Sequence, residues 1–320
     1  MQTNLVTTQN NDLAISEPLP LDQNPAAVYL AALANANARR VQAHALGVVV
    51  EIMGGADILS FPWSKLEYQH TQAIRSKLAE MYSAATANRT LSAMRGVLKQ
   101  AFLLGYMGAE TYQRSIMVKP VTGETLPAGR ELAGGELAAL MQACEADNTP
   151  AGARDAAIIA LAYSAGLRRA EITTIDLGDY DQETGKLVVN GKRNKQRTAY
   201  LVNGAKRAMA DWLQVRGAAA GAIFQPVNKS GVVQPRRMTT QAIYNMLAKR
   251  GAEAGVSEFS PHDLRRTFVS DLLEAGADIA TVAKMAGHAS VITTARYDRR
   301  PEQAKVKAAG LLHVPYNSRK

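Results

Sequence analysis

Residues 260–298 read SPHDLRRTFVSDLLEAGADIATVAKMAGHASVITTARYD, and the punctuation of this stretch decides how the rest is read. Ser260-Pro261, with Asp263 two residues on, has the form of a helix start: Ser260 as N-cap, the proline at the first helical position and Asp263 completing a capping box. The pattern predicts a helix over 261–275. In that helix His262 and Arg265 lie three apart and share one face, which can present an imidazole and a guanidinium to one small anion. Taken alone, such a pair is more often a turn-capping histidine beside a solvated arginine. A second helix, 278–286, stops at Gly287, so His288 projects from a helix terminus. A third, over 290–298, carries Tyr297 nine residues later, where amphipathic packing is the commoner use of a tyrosine.

Working outward, helices are predicted at 134–146 and from Ala153 to Ala165, the second stopped by Gly166. Leu167-Arg168 then opens a short helix, RRAEITTI, in which Glu171 lies one turn after Arg168. Two β-prone runs follow, KLVVN (186–190) and RTAYLV (197–202), joined by the basic loop GKRNKQ. They read as a hairpin with Lys192, Arg193 and Lys195 at or beside its tip. Further helices are expected at 204–216 and 239–254.

Before residue 113 the sequence is helical without strands. The segments 25–34, 36–53, 64–82 and 86–104 are rich in Ala, Leu, Met and Lys and are broken by Gly54-Gly55, Phe61-Pro62 and Gly105. Asn24-Pro25 supplies the first N-cap, and residues 1–23 read as a mobile arm. From 113 to 130, Pro120, Gly123, Pro127 and Gly129 disfavour regular structure, which marks an interdomain linker. The domains are therefore expected at 24–112 and 131–300, with a tail at 301–320. The fold class is mainly α with a small antiparallel β-sheet.

Composition limits the function. Lys and Arg number 37 against 28 Asp and Glu, and residues 127–320 hold 27 and 19 of these, so the second part carries most of a net +9. Such a balance favours an anionic partner, nucleic acid or a membrane surface. No apolar run reaches the roughly 18 residues that span a bilayer. The start lacks a basic segment followed by an apolar one, and the single Cys144 cannot form an internal disulfide, so a reducing cytoplasm is expected. One cysteine and five histidines leave little for a structural zinc site. There is no G-x-x-x-x-G-K-[ST] loop and no carboxylate cluster of the kind that holds magnesium beside phosphate.

The ordered set AGLRRAEI (165–172), GKRNKQR (191–197), SPHDLRRTF (260–268) and MAGHASVITTARY (285–297) resembles the tyrosine recombinase (phage integrase) family. The likeness spans about residues 130–300 and extends more weakly to the preceding bundle, where TANRTLSAMRGVLKQAF (86–102) is similar to a DNA-facing helix. It implies a site-specific recombinase of the simple two-domain kind, with no cofactor and no metal. Arg168, Arg265 and His288 would hold the phosphate, Lys192 would protonate the leaving oxygen, His262 would assist as base and Tyr297 would be the nucleophile. Glu171 would orient Arg168. Where family hairpins often read Gly-Lys-Gly-x-Lys, this chain has Arg193 at the second glycine, which leaves Lys195 as the alternative to Lys192. Arg89, Arg95, Lys99, Arg193 and Lys195 are the expected DNA contacts.

The resemblance further implies a C-shaped clamp on double-stranded DNA bearing a specific site and a tetramer joined through 301–320. An accessory protein is a further possible partner, and a nucleoid-associated place in the cytoplasm is expected. A type IB topoisomerase, or a DNA-binding regulator without catalysis, are the alternatives.

Overall fold

The computed structural model describes residues 19–123, 129–191, 196–295, 297 and 309, and the chain divides into two units, Met1–Ala128 and Gly129–Lys320. The hairpin-tip residues Lys192, Arg193 and Lys195, most of the arm, and the tail apart from residue 309 lie outside the described residues.

In the first unit, side-chain caps set the helix starts. Asn24 Oδ1 accepts from the N–H groups of Ala26 and Ala27 at 3.0 and 3.2 Å and begins α1 (Pro25–Ala31). Asn35 caps α2 (Ala36–Ile52). α3 (Tyr68–Met81) and α4 (Ala84–Leu103) follow, then α5 (Ala109–Ile116). α4 buries Ala87, Leu91, Met94, Leu98 and Ala101, a stripe at alternating spacings of four and three that faces α1, α2, α3 and α5. Leu46, Val49, Trp63, Leu66, Ile74 and Leu78 complete the core.

The expected linker is shorter at both ends than 113–130. α5 runs on to Ile116, and the chain then returns along α4: Val118 is buried, and Asn88 brackets Val121 with an amide donated at 2.9 Å and an acceptor at 2.7 Å. Carbonyls freed at the end of a helix need donors. Arg95 supplies them, donating to the carbonyls of Ile116 at 3.2 Å and of Val118. At the far end, Gly129–Leu132 belongs to the second unit.

The second unit comprises α6 (Gly134–Glu145), α7 (Pro150–Ser164), α8 (Arg169–Thr174), β1 (Lys186–Asn190), β2 (Gln196–Tyr200), α9 (Asn203–Arg216), α10 (Thr240–Glu253), α11 (Pro261–Glu274), α12 (Ile279–Ala286) and α13 (Val291–Ala295). α7 is the central helix, buried without interruption from Arg154 to Ala162 and packed by α6, α9 and α11. It starts three residues earlier than expected because Thr149 caps it and Pro150 fits its first position. The strands pair antiparallel with Leu187 opposite Ala199 and Val189 opposite Arg197. Cross-strand partners share a face. Leu187, Val189 and Ala199 are buried, so the inward face of the hairpin also carries Arg197.

Candidate active site

α11 is where the local sequence places most of the chemistry. Asp263 accepts from both the N–H and the hydroxyl of Ser260 at 2.8 Å, which fixes the helix start and thereby the face on which His262 and Arg265 lie. Arg265 is only 3% exposed. One end of its guanidinium donates to the carbonyl of Gly166, while Nη2 is buried and has no partner among the described residues. No carboxylate bonds to it among the described residues. Burial, then the charge of Arg168, pulls this arginine down to about 10. A buried cation with an unused donor is costly unless an anion completes it.

Arg168 reaches the same place from the turn between α7 and α8. Its Nη1 donates to Glu171 at 2.8 Å and its Nη2 to the carbonyl of Gly287 at 3.3 Å. Glu171 also accepts from the Arg168 backbone N–H at 2.9 Å and from Arg197 at 2.8 Å. Burial pushes the Glu171 carboxyl up, but the bonds from Arg197 and from the Arg168 backbone outweigh it and hold it below the usual range. Arg197 continues to the carbonyl of Met285 at 3.1 Å. It also packs on Gly287, which ends α12 in the left-handed conformation at φ 65° and where a Cβ would lie 3.1 Å from the Arg197 side chain.

That glycine turn delivers His288. Its Nδ1 lies 2.8 Å from the Thr294 hydroxyl, and its ring stacks with that of Tyr297, centroids 6.1 Å apart and planes within 17°. Burial, then Arg265 and Arg168, pulls His288 down to about 4, so it is neutral at pH 7. The Tyr297 hydroxyl is 3.4 Å from His262 Nε2. His262 is itself held below the ordinary histidine value by burial and then by Arg265. Below these groups Phe268, Val269, Leu273, Val282 and Ala286 form a small separate apolar cluster against which Tyr297 packs.

The fold thus brings Arg168, Glu171, His262, Arg265, His288 and Tyr297 together, although they come from three separate parts of the sequence. Lys192, Arg193 and Lys195 fall on undescribed residues. In the first unit Arg89 and Lys99 are exposed, whereas Arg95 is half-buried and commits its Nε and Nη2 to backbone carbonyls. Two residues escaped the sequence reading. Arg197 carried a signal, since strand alternation places it on the same face as Ala199. Arg266, whose guanidinium carbon lies 5.5 Å from the Tyr297 ring centroid, carried none beyond its neighbour Arg265. Among the described residues no group of three or more His, Cys, Asp or Glu is placed to hold a metal, and no helix is long and apolar enough to cross a membrane.

Two guanidiniums, a neutral imidazole and a tyrosine paired with a second imidazole form a constellation chemically able to bind a phosphate and attack it. The sequence agrees with that geometry: residues 130–303 match the model of the phage integrase family, and the chain belongs to that family. Among its relatives, the tyrosine recombinase XerC of Haemophilus influenzae is 30% identical over 260 residues, covering 79% of this chain and 83% of that one. XerC of Chromohalobacter salexigens is 40% identical over 172 residues, 52% of this chain and 55% of that one. The fold is similar to that of the Tn1549 transposon integrase in complex with transposon right-end DNA, with a TM-score of 0.67 at 14% identity over 90% of this chain and 99% of that chain.

Proposed function

We propose that this chain is a site-specific DNA recombinase that cuts and rejoins strands through a 3′-phosphotyrosine. The observation that carries the reading is the Tyr297 hydroxyl at 3.4 Å from His262 beside Arg265, whose buried Nη2 lacks a partner. A phosphodiester is negative and gains charge on attack. Arg265 and Arg168 answer that charge with forked, charge-assisted hydrogen bonds. If Thr294 donates to Nδ1 of His288, the proton sits on Nε2, and a neutral imidazole adds a third donor. His262 accepts the phenolic proton as the Tyr297 oxygen bonds to phosphorus and the bond to the 5′ oxygen breaks. The departing oxygen takes a proton from Lys192, or from Lys195, on the hairpin. The stored phosphoester is then open to attack by the 5′-hydroxyl of another strand, with reversal of each transfer and no ATP.

Both units belong to this reading. Arg89 and Lys99 on α4 supply phosphate contacts in the first, the positive hairpin does so in the second, and four copies act on two duplexes through contacts of the 301–320 tail. Binding then weakens steeply with salt. The test is direct: protein is mixed with genomic or plasmid DNA, denatured in detergent and examined for a covalent adduct whose DNA is sequenced. The wild-type chain gives an adduct at recurring sequences, and Tyr297→Phe binds DNA without one. An adduct retained by Tyr297→Phe would refute the assignment.

A further inference from the structure

Arg266 has no part in the chemistry above, yet it is only 4% exposed and lies against the nucleophile. Its Nη1 donates to the carbonyl of Gly129 at 2.8 Å, its buried Nε has no partner among the described residues, and its guanidinium carbon is 5.5 Å from the Tyr297 ring centroid. A cation is drawn to the negative face of an aromatic ring, so it restricts the ring in both distance and plane. One turn further on, the Ser270 hydroxyl is 2.8 Å from the Glu131 carboxylate and 3.4 Å from the Tyr297 carbonyl oxygen. Arg266 and Ser270 therefore each touch both Tyr297 and the strap that opens the second unit.

That strap runs beside α11 over successive turns. Arg130 N–H donates to Asp263 at 3.0 Å, Leu132 N–H to the Thr267 hydroxyl at 2.9 Å, and the Gly129 carbonyl receives Arg266. Gly129 sits at φ 93°, and a Cβ there would fall 2.2 Å from Asp263 Oδ1. A side chain at 129 must displace either the strap or the Asp263 carboxylate, which gives a way to disturb the anchor of Arg266 without substituting Arg266 or Tyr297.

We propose that Arg266 is a positioning residue for the nucleophile: anchored on the Gly129 carbonyl, it holds the Tyr297 ring so that its hydroxyl meets His262, and it ties the seating of Tyr297 to the strap. A residue that served only to fill space would be apolar here, next to the cluster of Phe268 and Val269. A buried guanidinium that, among the described residues, bonds one carbonyl and lies over one ring face serves orientation instead. The proposal rests on the reading of Tyr297 as nucleophile.

The test uses the full chain and a nicked duplex built on a sequence recovered from wild-type adducts. DNA affinity, thermal melting and the single-turnover rate of adduct formation are measured for Arg266→Ala, Arg266→Lys and Gly129→Ala. Arg266→Ala is expected to keep its DNA affinity and to cleave about a hundredfold more slowly, the loss that follows a misplacement of about 1 Å. Arg266→Lys, which keeps a cation without the fork, recovers part of that rate, and Gly129→Ala shifts the rate in the same direction as Arg266→Ala. A duplex with a 5′-bridging sulfur, whose leaving group needs no proton, leaves the defect in place. Wild-type cleavage by Arg266→Ala, full rescue on the sulfur substrate, or affinity falling in step with rate overturns the proposal. If Arg266→Ala does not fold, wild-type rates for both other variants overturn it. No adduct from the wild-type chain refutes the reading of Tyr297 itself, an outcome distinct from all of these.

Discussion

Replacing Glu171 with glutamine removes one negative charge from a buried position that answers two guanidiniums. The side chains of Glu171 and Arg197 are 8% and 13% exposed, so their bond at 2.8 Å is a desolvated, charge-assisted one worth about 1.5–3 kcal/mol. The Arg168 side chain is 44% exposed, and solvent screening leaves that arm about 1 kcal/mol at most. Glutamine can still accept from the Arg168 backbone N–H, but its amide then meets a guanidinium donor to donor. The expected loss is about 2–4 kcal/mol, or roughly 5–15 °C for a unit of this size. Because the folded carboxyl lies below its ordinary value, the unfolded chain binds more protons between the two values and stability rises with pH there. The contribution is complete above the unfolded value near ~4.3 and is lost as pH falls through the folded one. Thermal and urea melts of wild type and Glu171→Gln between pH 3 and 7 should therefore diverge at neutral pH and converge in acid. Identical melting temperatures at pH 7, or curves parallel throughout, would show that Glu171 does not hold the arginines.

The remaining predictions concern individual side chains. Arg265→Ala should slow adduct formation by the ~2.7–4 kcal/mol attributed to a lost oxyanion donor while leaving thermal stability equal or higher, since a buried, incompletely paired charge is gone; near-normal cleavage places Arg265 outside the site. Arg95→Ala should cost the first unit about 1–3 kcal/mol through its orphaned carbonyls and leave the salt dependence of DNA binding unchanged, whereas Lys99→Ala should reduce the salt slope by about 1; a reduced slope for Arg95→Ala reverses the assignment. Lys192→Ala should cleave poorly but recover on a 5′-bridging sulfur substrate, and recovery by Lys195→Ala in its place moves proton donation to the second lysine.

The elements were legible because their signals are local. Although the equally local Thr149-Pro150 start of α7 was passed over in favour of Ala153, Ser260-Pro261 with Asp263, Asn24-Pro25 and the stops at Gly166 and Gly287 each act within one helical turn, so these helix ends could be read from chain order. The linker was misread for the same reason. Residues 117–121 look irregular in sequence, yet Asn88 and Arg95, more than twenty residues earlier, bind them to α4.

What the sequence by itself determined is the order of the candidate groups along the chain and the helix face that bears two of them, since His262 and Arg265 share a face at any folded position of α11. Only the tertiary structure decided their electrostatic state. That Arg265 is buried with an unused donor, that Glu171 is shared by Arg168 and Arg197, and that His288 is held neutral all depend on groups that meet through space, such as Arg168 with the carbonyl of Gly287, 119 residues away. Burial and pairing are properties of the packed chain, because the cost of a charge is set by what replaces its water, and no window of sequence contains that neighbour.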